Sequence, residues 1–387
     1  MLPADTKLIS VDDHVIEHPN VWQDRLPARF KEAGPRVIEQ TEGEFAGNEV
    51  WLYEGQSFIT HGVSATAGRE EQHLNLNPVR FENMAPGCYD PAARIKDMDA
   101  DGVHAQVCFS TFSRYAGTRF LLGKDKELAL LCTQAYNDFI LDEWCAYAPG
   151  RLVPLVVLPL WDLDLCVAEI ARTAAKGAKA IGFPENPASP ALNLPSWHSR
   201  YWDPVLAASQ DAQMPLCMHV GTSGATPVTS ADMPPAVTMC LIAANSMGLT
   251  LDLLYSGTFI RFPRLKAVLS EGGVGWIPYT LERADRMWTR HKIYQPQIDF
   301  GVLPSEMVPG HLYGCFIDDS VGVALRDRVG VSQIMWESDY PHSDSSWPDS
   351  RKELTKMFAD VPDDEARRMA ELNAREVFRL DPEPTAD

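Results

Sequence analysis

Trp336-Glu337-Ser338-Asp339-Tyr340-Pro341-His342 ends an apolar, β-type run over 331–336 with a carboxylate, a proline turn and a histidine. A barrel strand delivers an active aspartate to the mouth in this way, because such folds keep their chemistry at the C-terminal strand ends. Two more runs end alike: Leu8-Ile9-Ser10-Val11 enters Asp12-Asp13-His14, and Pro215-Leu216-Cys217-Met218 enters His219. Three apolar runs, at the start, middle and end of one chain, thus finish in side chains that bind metals.

Further apolar runs at 104–110, 152–160, 178–184 and 265–270, with a short one near 315–317, bring the strand count to eight, the last strand being the opening run near 333–336. Between them lie stretches of helical character at 92–100, 124–148, 163–176, 202–211 and 236–262. Strands that alternate with helices pair in parallel, and eight of them favour closure into an α/β fold of the (β/α)8 TIM-barrel type over an open sheet. Residues 17–90 break the alternation. The runs 35–40 and 49–53 flank a polar, glycine-containing stretch and predict a hairpin, so 17–90 reads as an insertion after strand 1, a lid or an interface arm. The expectation is one domain over 1–380, ending in a helix at 363–378, with a flexible tail at 381–387.

Of the 387 residues, 45% are apolar and 22% charged, and 34 basic against 53 acidic residues give a net charge of −19. That field opposes nucleic acid and anionic membrane surfaces and makes a small molecule the expected partner. The eight cysteines are scattered with no C-x-x-C spacing, which reads as reduced and buried. No run of 18 consecutive apolar residues and no signal-peptide pattern occurs, so a cytoplasmic location is expected.

On a strand of period two, Asp12 and His14 share one face and Asp13 takes the other. With His219 and Asp339 they would make a two-nitrogen, two-oxygen set, suited to Zn²⁺ or Mn²⁺ and too nitrogen-rich for Ca²⁺. Each residue also has an ordinary reading: His219 as a hydrogen-bonded core histidine, Asp339 as a helix cap. Arg114 and Arg119 follow the second strand, where either would clamp a substrate carboxylate or sit in a solvated loop. His18, His61, His73, His198, His291 and His311 read as ordinary surface histidines, and His104 falls at the barrel bottom.

The chain resembles the amidohydrolase-related superfamily, in the branch of aminocarboxymuconate-semialdehyde decarboxylase and the resorcylate and vanillate-type decarboxylases. The resemblance is carried by Ser10-Val11-Asp12-Asp13-His14-Val15-Ile16-Glu17, Gly177-Ala178-Lys179-Ala180-Ile181, Met218-His219-Val220-Gly221, Phe262-Pro263-Arg264-Leu265-Lys266, Glu271-Gly272-Gly273-Val274-Gly275-Trp276, Ser338-Asp339-Tyr340-Pro341-His342 and Asn373-Ala374-Arg375-Glu376-Val377-Phe378. It implies a distorted barrel holding one divalent metal, Zn²⁺ first and Mn²⁺ second, with His14, His219 and Asp339 as ligands. Two positions depart from the pattern. Ile16 replaces the second strand-1 histidine, so Asp12, or Glu17 as the alternative, would supply the missing ligand. Glu271 replaces the strand-6 histidine that serves as acid/base.

These readings predict a metal-dependent hydrolase acting on a small carboxylate or aromatic substrate through activated water, with Asp339, Glu271 and His342 as catalytic groups. His342 would polarise substrate or support Asp339, and Glu271 has a turn or outer-shell reading as well. A non-oxidative decarboxylase, a carboxy-lyase, is the alternative, and a metal-free binding barrel the second. A homodimer is expected, the aromatic-bearing hairpin being either its contact or a lid.

Overall fold

The structure, a computed structural model, describes residues 1–67 and 75–380; His73 and the tail at 381–387 lie outside them. Its core is an eight-stranded parallel sheet curled into a nearly closed barrel. The staves in chain order are β1 (Leu8–Val15), β5 (Val103–Ser110), β6 (Leu152–Val156), β7 (Ala180–Gly182), β8 (Leu216–His219), β9 (Ala267–Ser270), β10 (Leu312–Phe316) and β11 (Ile334–Trp336). Each pairs with its predecessor in parallel, and helices such as Lys126–Phe139, Leu163–Ala175 and Ile277–His291 run between them. Ile9, Val11, Ala105, Val107, Val153, Leu155, Ala180, Cys217, Val268, Cys315 and Met335 form one buried cluster fed by all eight staves, the filled interior of a small barrel.

All eight staves fall on predicted runs, with shifted bounds. The run at 152–160 keeps strand geometry only to Val156, because β7 offers three residues to pair with; the main chain of Val157 turns instead to the Asn137 side-chain amide. The run near 315–317 overlaps only the end of Leu312–Phe316, which begins three residues earlier.

Ladder hydrogen bonds do not join β11 to β1. The seam is closed by main-chain bonds from Asp339 N–H to Asp12 O (3.0 Å) and from His14 N–H to Tyr340 O (2.7 Å), and by side chains. Asp13 Oδ1 receives Ser338 Oγ (2.6 Å), Tyr340 N–H (3.0 Å) and Gln106 Nε2 (3.1 Å). Buried Arg94 extends the network, donating to Gln106 Oε1 and to the His14 carbonyl. The register of β1 against β5 slips between Ser10 and Asp13, a bulge beside the site that bends the strand where its polar residues begin.

Between β1 and β5 stands a separate antiparallel sheet of β2 (Arg36–Glu39), β3 (Glu49–Tyr53) and β4 (Gln56–Phe58). The predicted hairpin is its first pair, and β4 is an addition. Glu54 and Gly55, at φ 50° and 75°, form the tight turn between β3 and β4. The Glu54 carboxylate takes the main-chain N–H groups of Lys124 and Asp125 (both 2.8 Å), and Trp51 packs on Phe112. The small sheet is thereby docked on the loop that follows β5.

Among the described residues one helical run, Pro235–Tyr255, is long and apolar enough to cross a membrane, with mean hydropathy 1.6 and 28% of that stretch buried. It is two helices, Pro235–Leu241 and Ala243–Tyr255. Met239 and Ile242 of this run line the cavity at the barrel mouth.

Candidate metal centre

The C-terminal ends of the staves bring Asp12, His14, His219 and Asp339 together, one ligand atom of each lying within 4.8 Å of the others. His14 Nε2 is 3.1 Å from Asp339 Oδ1 and 3.5 Å from Asp12 Oδ1, and His219 Nε2 is 3.5 Å from Asp12 Oδ2. All four side chains are buried. His14 Nε2, His219 Nε2, both Asp12 oxygens and Asp339 Oδ1 have no hydrogen-bond partner. Buried polar atoms are seldom left so. Ligand atoms about 2.1 Å from one cation stand roughly 3.0–3.4 Å apart, close to these separations. The donor set therefore fits a divalent metal, and a common cation would satisfy every orphaned atom.

The neighbours prepare the ligands. His219 Nδ1–H donates to the Val220 carbonyl (2.6 Å), fixing the tautomer whose Nε2 lone pair faces the group. The loop after β8 is pinned by buried Glu185, which accepts from Gly221 N–H, Ser223 N–H, Ser223 Oγ and Asn245 Nδ2. Burial keeps both imidazoles neutral, with His219 held down to about 3 and His14 well below the usual range. Burial, then repulsion from Glu337, Asp339 and Glu271, drives Asp12 far above the usual carboxylate range, and burial, then repulsion from Glu271, Asp13 and Asp344, does the same to Asp339. Neutral imidazoles and carboxylates crowded beyond what protons alone comfortably satisfy are what a cation site presents before it is filled.

Glu271 lies on the cavity side, its Oε2 3.5 Å from His219 Nε2; burial raises its carboxyl. His342 is 3.0 Å from Asp339 Oδ2 through Nδ1, and its ring stacks on His14 at 3.9 Å between centroids. Arg114, Glu271 and Asp339 all have left-handed backbones, at φ 56°, 59° and 55°. Three such non-glycine residues on one cavity mark stored strain where strands hand over to loops.

A cavity of about 380 Å³ opens over these groups, lined by Arg114, Tyr115, Arg119, Glu271, Asp339 and His342 among others. Residues of the insertion, including Thr60, His61 and Ser64, form part of its wall, with His61 exposed there as expected of a surface histidine. Arg114 is exposed at the rim. Arg119 differs: its guanidinium lies 3.8 Å from the Phe58 ring and 4.7 Å from that of Phe112 and donates to the Phe112 carbonyl. Glu17 stands outside the four-residue group, since its carboxylate receives Thr111 and Phe112 N–H at 3.2 and 2.8 Å. This corrects its reading as an alternative ligand, and the reason is that its charge is spent on organising the loop after β5.

Two residues of the site escape a reading of the sequence. The Tyr115 ring packs against both imidazoles, at 4.1 Å from His219 and 4.6 Å from His14. It gets there because the loop crosses β7 closely: a Cβ on Gly182 would lie 2.2 Å from the Tyr115 carbonyl. Glu337 is fully buried behind Glu271, and its Oε2 has no partner. The period of two, which places it in phase with Asp339, was the available clue.

A family profile described as amidohydrolase matches residues 50–380. Among similar solved structures is an amidohydrolase from Mycobacterium avium subsp. paratuberculosis K-10, 21% identical, covering 97% of this chain and 100% of that one, with a TM-score of 0.74. Another is 5-carboxyvanillate decarboxylase from Novosphingobium aromaticivorans, complexed with manganese and 4-hydroxy-3-methoxy-5-nitrobenzoic acid, at 17% identity, 97% coverage of each chain and TM-score 0.67. A dihydroxybenzoic acid decarboxylase from Polaromonas sp. JS666, with manganese and 2-nitroresorcinol, is 15% identical over 97% of each chain, at TM-score 0.63. At these identities the likeness is one of fold.

Proposed function

The chain belongs to the amidohydrolase family, and from that premise we propose that this enzyme is a metal-dependent carboxy-lyase acting on a small aromatic or unsaturated carboxylic acid. The observation that carries the reading is the convergence on one cavity of an orphaned His/Asp donor set, a carboxyl with a raised pKa and a rim arginine. Two of the similar folds named above are decarboxylases of aromatic acids crystallised with manganese, which supports placing decarboxylation ahead of the hydrolysis that the sequence put first.

Asp12, His14, His219 and Asp339 would hold the divalent ion, which when bound supplies Lewis-acid activation of a substrate oxygen or of water. Arg114 would draw the anionic substrate into a molecule of net charge −19 and orient its carboxylate. The bond between the ring carbon and the carboxylate breaks, its electron pair stays on that carbon, and CO2 leaves. Glu271, whose carboxyl burial shifts toward the protonated form, gives a proton to the same carbon and regains one from water. His342 orients Asp339, and Tyr115 forms an aromatic wall over the imidazoles. The insertion would act as a lid through its residues on the cavity wall.

One observation favours hydrolysis as a second reading: Glu271 Oε2 lies 3.5 Å from His219 Nε2, close enough to take a proton from water in the same place. Assays of CO2 release against hydrolytic product over a panel of aromatic acids, amides and esters separate the two; turnover of amides or esters alone would overturn the carboxy-lyase reading.

The N2O2 set suits Zn²⁺ first and Mn²⁺ second. The eight cysteines form no disulfide, and all but Cys240 are buried, which supports a reducing, cytoplasmic compartment. The exposed apolar side chains of Tyr279, Ile293 and Tyr294 support a homodimer, for which light scattering is the test.

A further inference from the structure

The floor of the barrel carries another cavity, of about 280 Å³, at the opposite end of the staves from the metal centre. Pro215 and Lys266, the residues immediately before β8 and β9, line it together with Arg264, Glu376 and Arg379. The terminal helix Asn373–Phe378 brings the last two there. Its Ala374, Val377 and Phe378 join the buried cluster that fills the barrel, so the helix plugs the bottom and its end stands at the rim of the cavity. Arg379 ends that helix with a left-handed backbone, at φ 52°.

The charges around this cavity do not balance. Arg264 is paired with Asp211 at 2.8 Å and Glu376 with Arg368 at 3.3 Å, which leaves Lys266 and Arg379 without a carboxylate. Lys266 Nζ donates to the Glu376 carbonyl at 3.1 Å, an ordinary helix-end contact that uses one of its three hydrogens. Arg379 has no such employment. Among the described residues its side chain has no carboxylate partner, and its Nε is buried with no hydrogen-bond acceptor. Burial pulls the Lys266 ammonium below its usual range, Glu376 opposes this and Arg379 adds to it, so the two cations feel each other. A buried donor is seldom left idle. It is the more telling in a chain with 53 acidic and 34 basic residues, where carboxylates able to pair an arginine are in excess.

We infer that this cavity is a binding site for a small oxyanion, a phosphate or carboxylate group seated on Arg379 and Lys266 with Arg264 at its edge. The forked N–H groups of a guanidinium match two oxygens of either anion, and the lysine supplies a point charge beside them. The volume lies near the lower end of small-molecule sites, about 300–1,000 Å³, which suits an organic phosphate or a compact polycarboxylate. Such an occupant ties the terminal helix to the starts of β8 and β9 and stabilises the barrel from below, without touching the metal centre.

The test is calorimetric titration of the full chain with inorganic phosphate and with citrate, at ionic strength matched with chloride, and thermal melts in parallel. One equivalent of either anion should bind and raise the melting temperature, alike in protein as purified and after chelator treatment. Lys266→Met and Arg379→Gln should each weaken binding by at least about tenfold. Arg264→Ala, at a side chain 65% exposed and so harmless to the fold, should weaken it by a smaller factor. Arg114→Ala, at the barrel mouth, should bind as the parent does, and circular dichroism verifies each fold. Binding of neither anion, binding that survives in Lys266→Met or Arg379→Gln, or binding that disappears with Arg114 or with the metal would each overturn the inference.

Discussion

The buried carboxylate of Glu337 receives the main-chain N–H of Glu271 at 3.0 Å, so a residue facing the cavity is held by one standing behind it. Glu271 needs the hold because its backbone is left-handed, a conformation that costs a non-glycine residue about 1 kcal/mol or more.

Glu337→Ala should release that clamp. The expected result is a kcat lowered about tenfold or more and a stability loss of about 1–3 kcal/mol, with the bound metal retained. Glu337→Gln, which keeps an acceptor, should recover most of both. Parallel kinetics, denaturant melts and metal analysis check this, and an unchanged kcat in the alanine variant would refute the positioning role.

His219→Ala and Asp12→Ala each remove a donor from the four-residue group. Metal affinity should fall by at least about 100-fold, and the bound ion should be lost on dialysis. Mass-spectrometric metal counting on the purified variants decides the matter.

Arg114 and Arg119 should separate cleanly. Arg114→Ala leaves the fold alone and raises KM for an anionic substrate by about 10- to 100-fold, the loss of one charge-assisted contact. Arg119→Ala removes the cation between Phe58 and Phe112 and should lower thermal stability and expose the small sheet to protease. Equal KM effects in both variants would contradict the assignment.

Glu17 carries a pH signature. Burial raises its carboxyl to about 7, whereas the unfolded chain titrates near the ordinary glutamate value of about 4.3. Between those values the folded state binds more protons than the unfolded one, so this residue's contribution to stability declines as pH rises through the window and levels off above it. Glu17→Gln should remove that slope, at most about 1.4 kcal/mol per pH unit. Melts of both proteins from pH 4.5 to 8 make the comparison, and parallel curves would count against it.

The barrel was legible because each stave is an apolar run bounded by turns and followed by helical periodicity. Asp12 and His14 could be found because strand phase puts them on one face, and His219 and Asp339 because each closes an apolar run at the end where a barrel keeps its chemistry. What was not legible depends on tertiary contacts. Tyr115 reaches the imidazoles through a left-handed turn at Arg114 and the space left by Gly182. β4 was missed because Gln56 and Ser57 are polar and exposed and its pairing rests on the turn at Glu54-Gly55. Glu17 stood as the alternative ligand by its nearness in sequence, yet its position is set by the loop main chain it binds.

The seam between β1 and β11 has a consequence for synthesis in the cell. Asp12 and His14 emerge from the ribosome more than three hundred residues before Asp339. The bonds that unite them, from Asp339 to the Asp12 carbonyl and from His14 to that of Tyr340, exist only once the last stave has docked. A nascent chain arrested before that point would carry two histidines and an aspartate unable to trap an ion firmly, so cation capture reports that translation has passed the final strand.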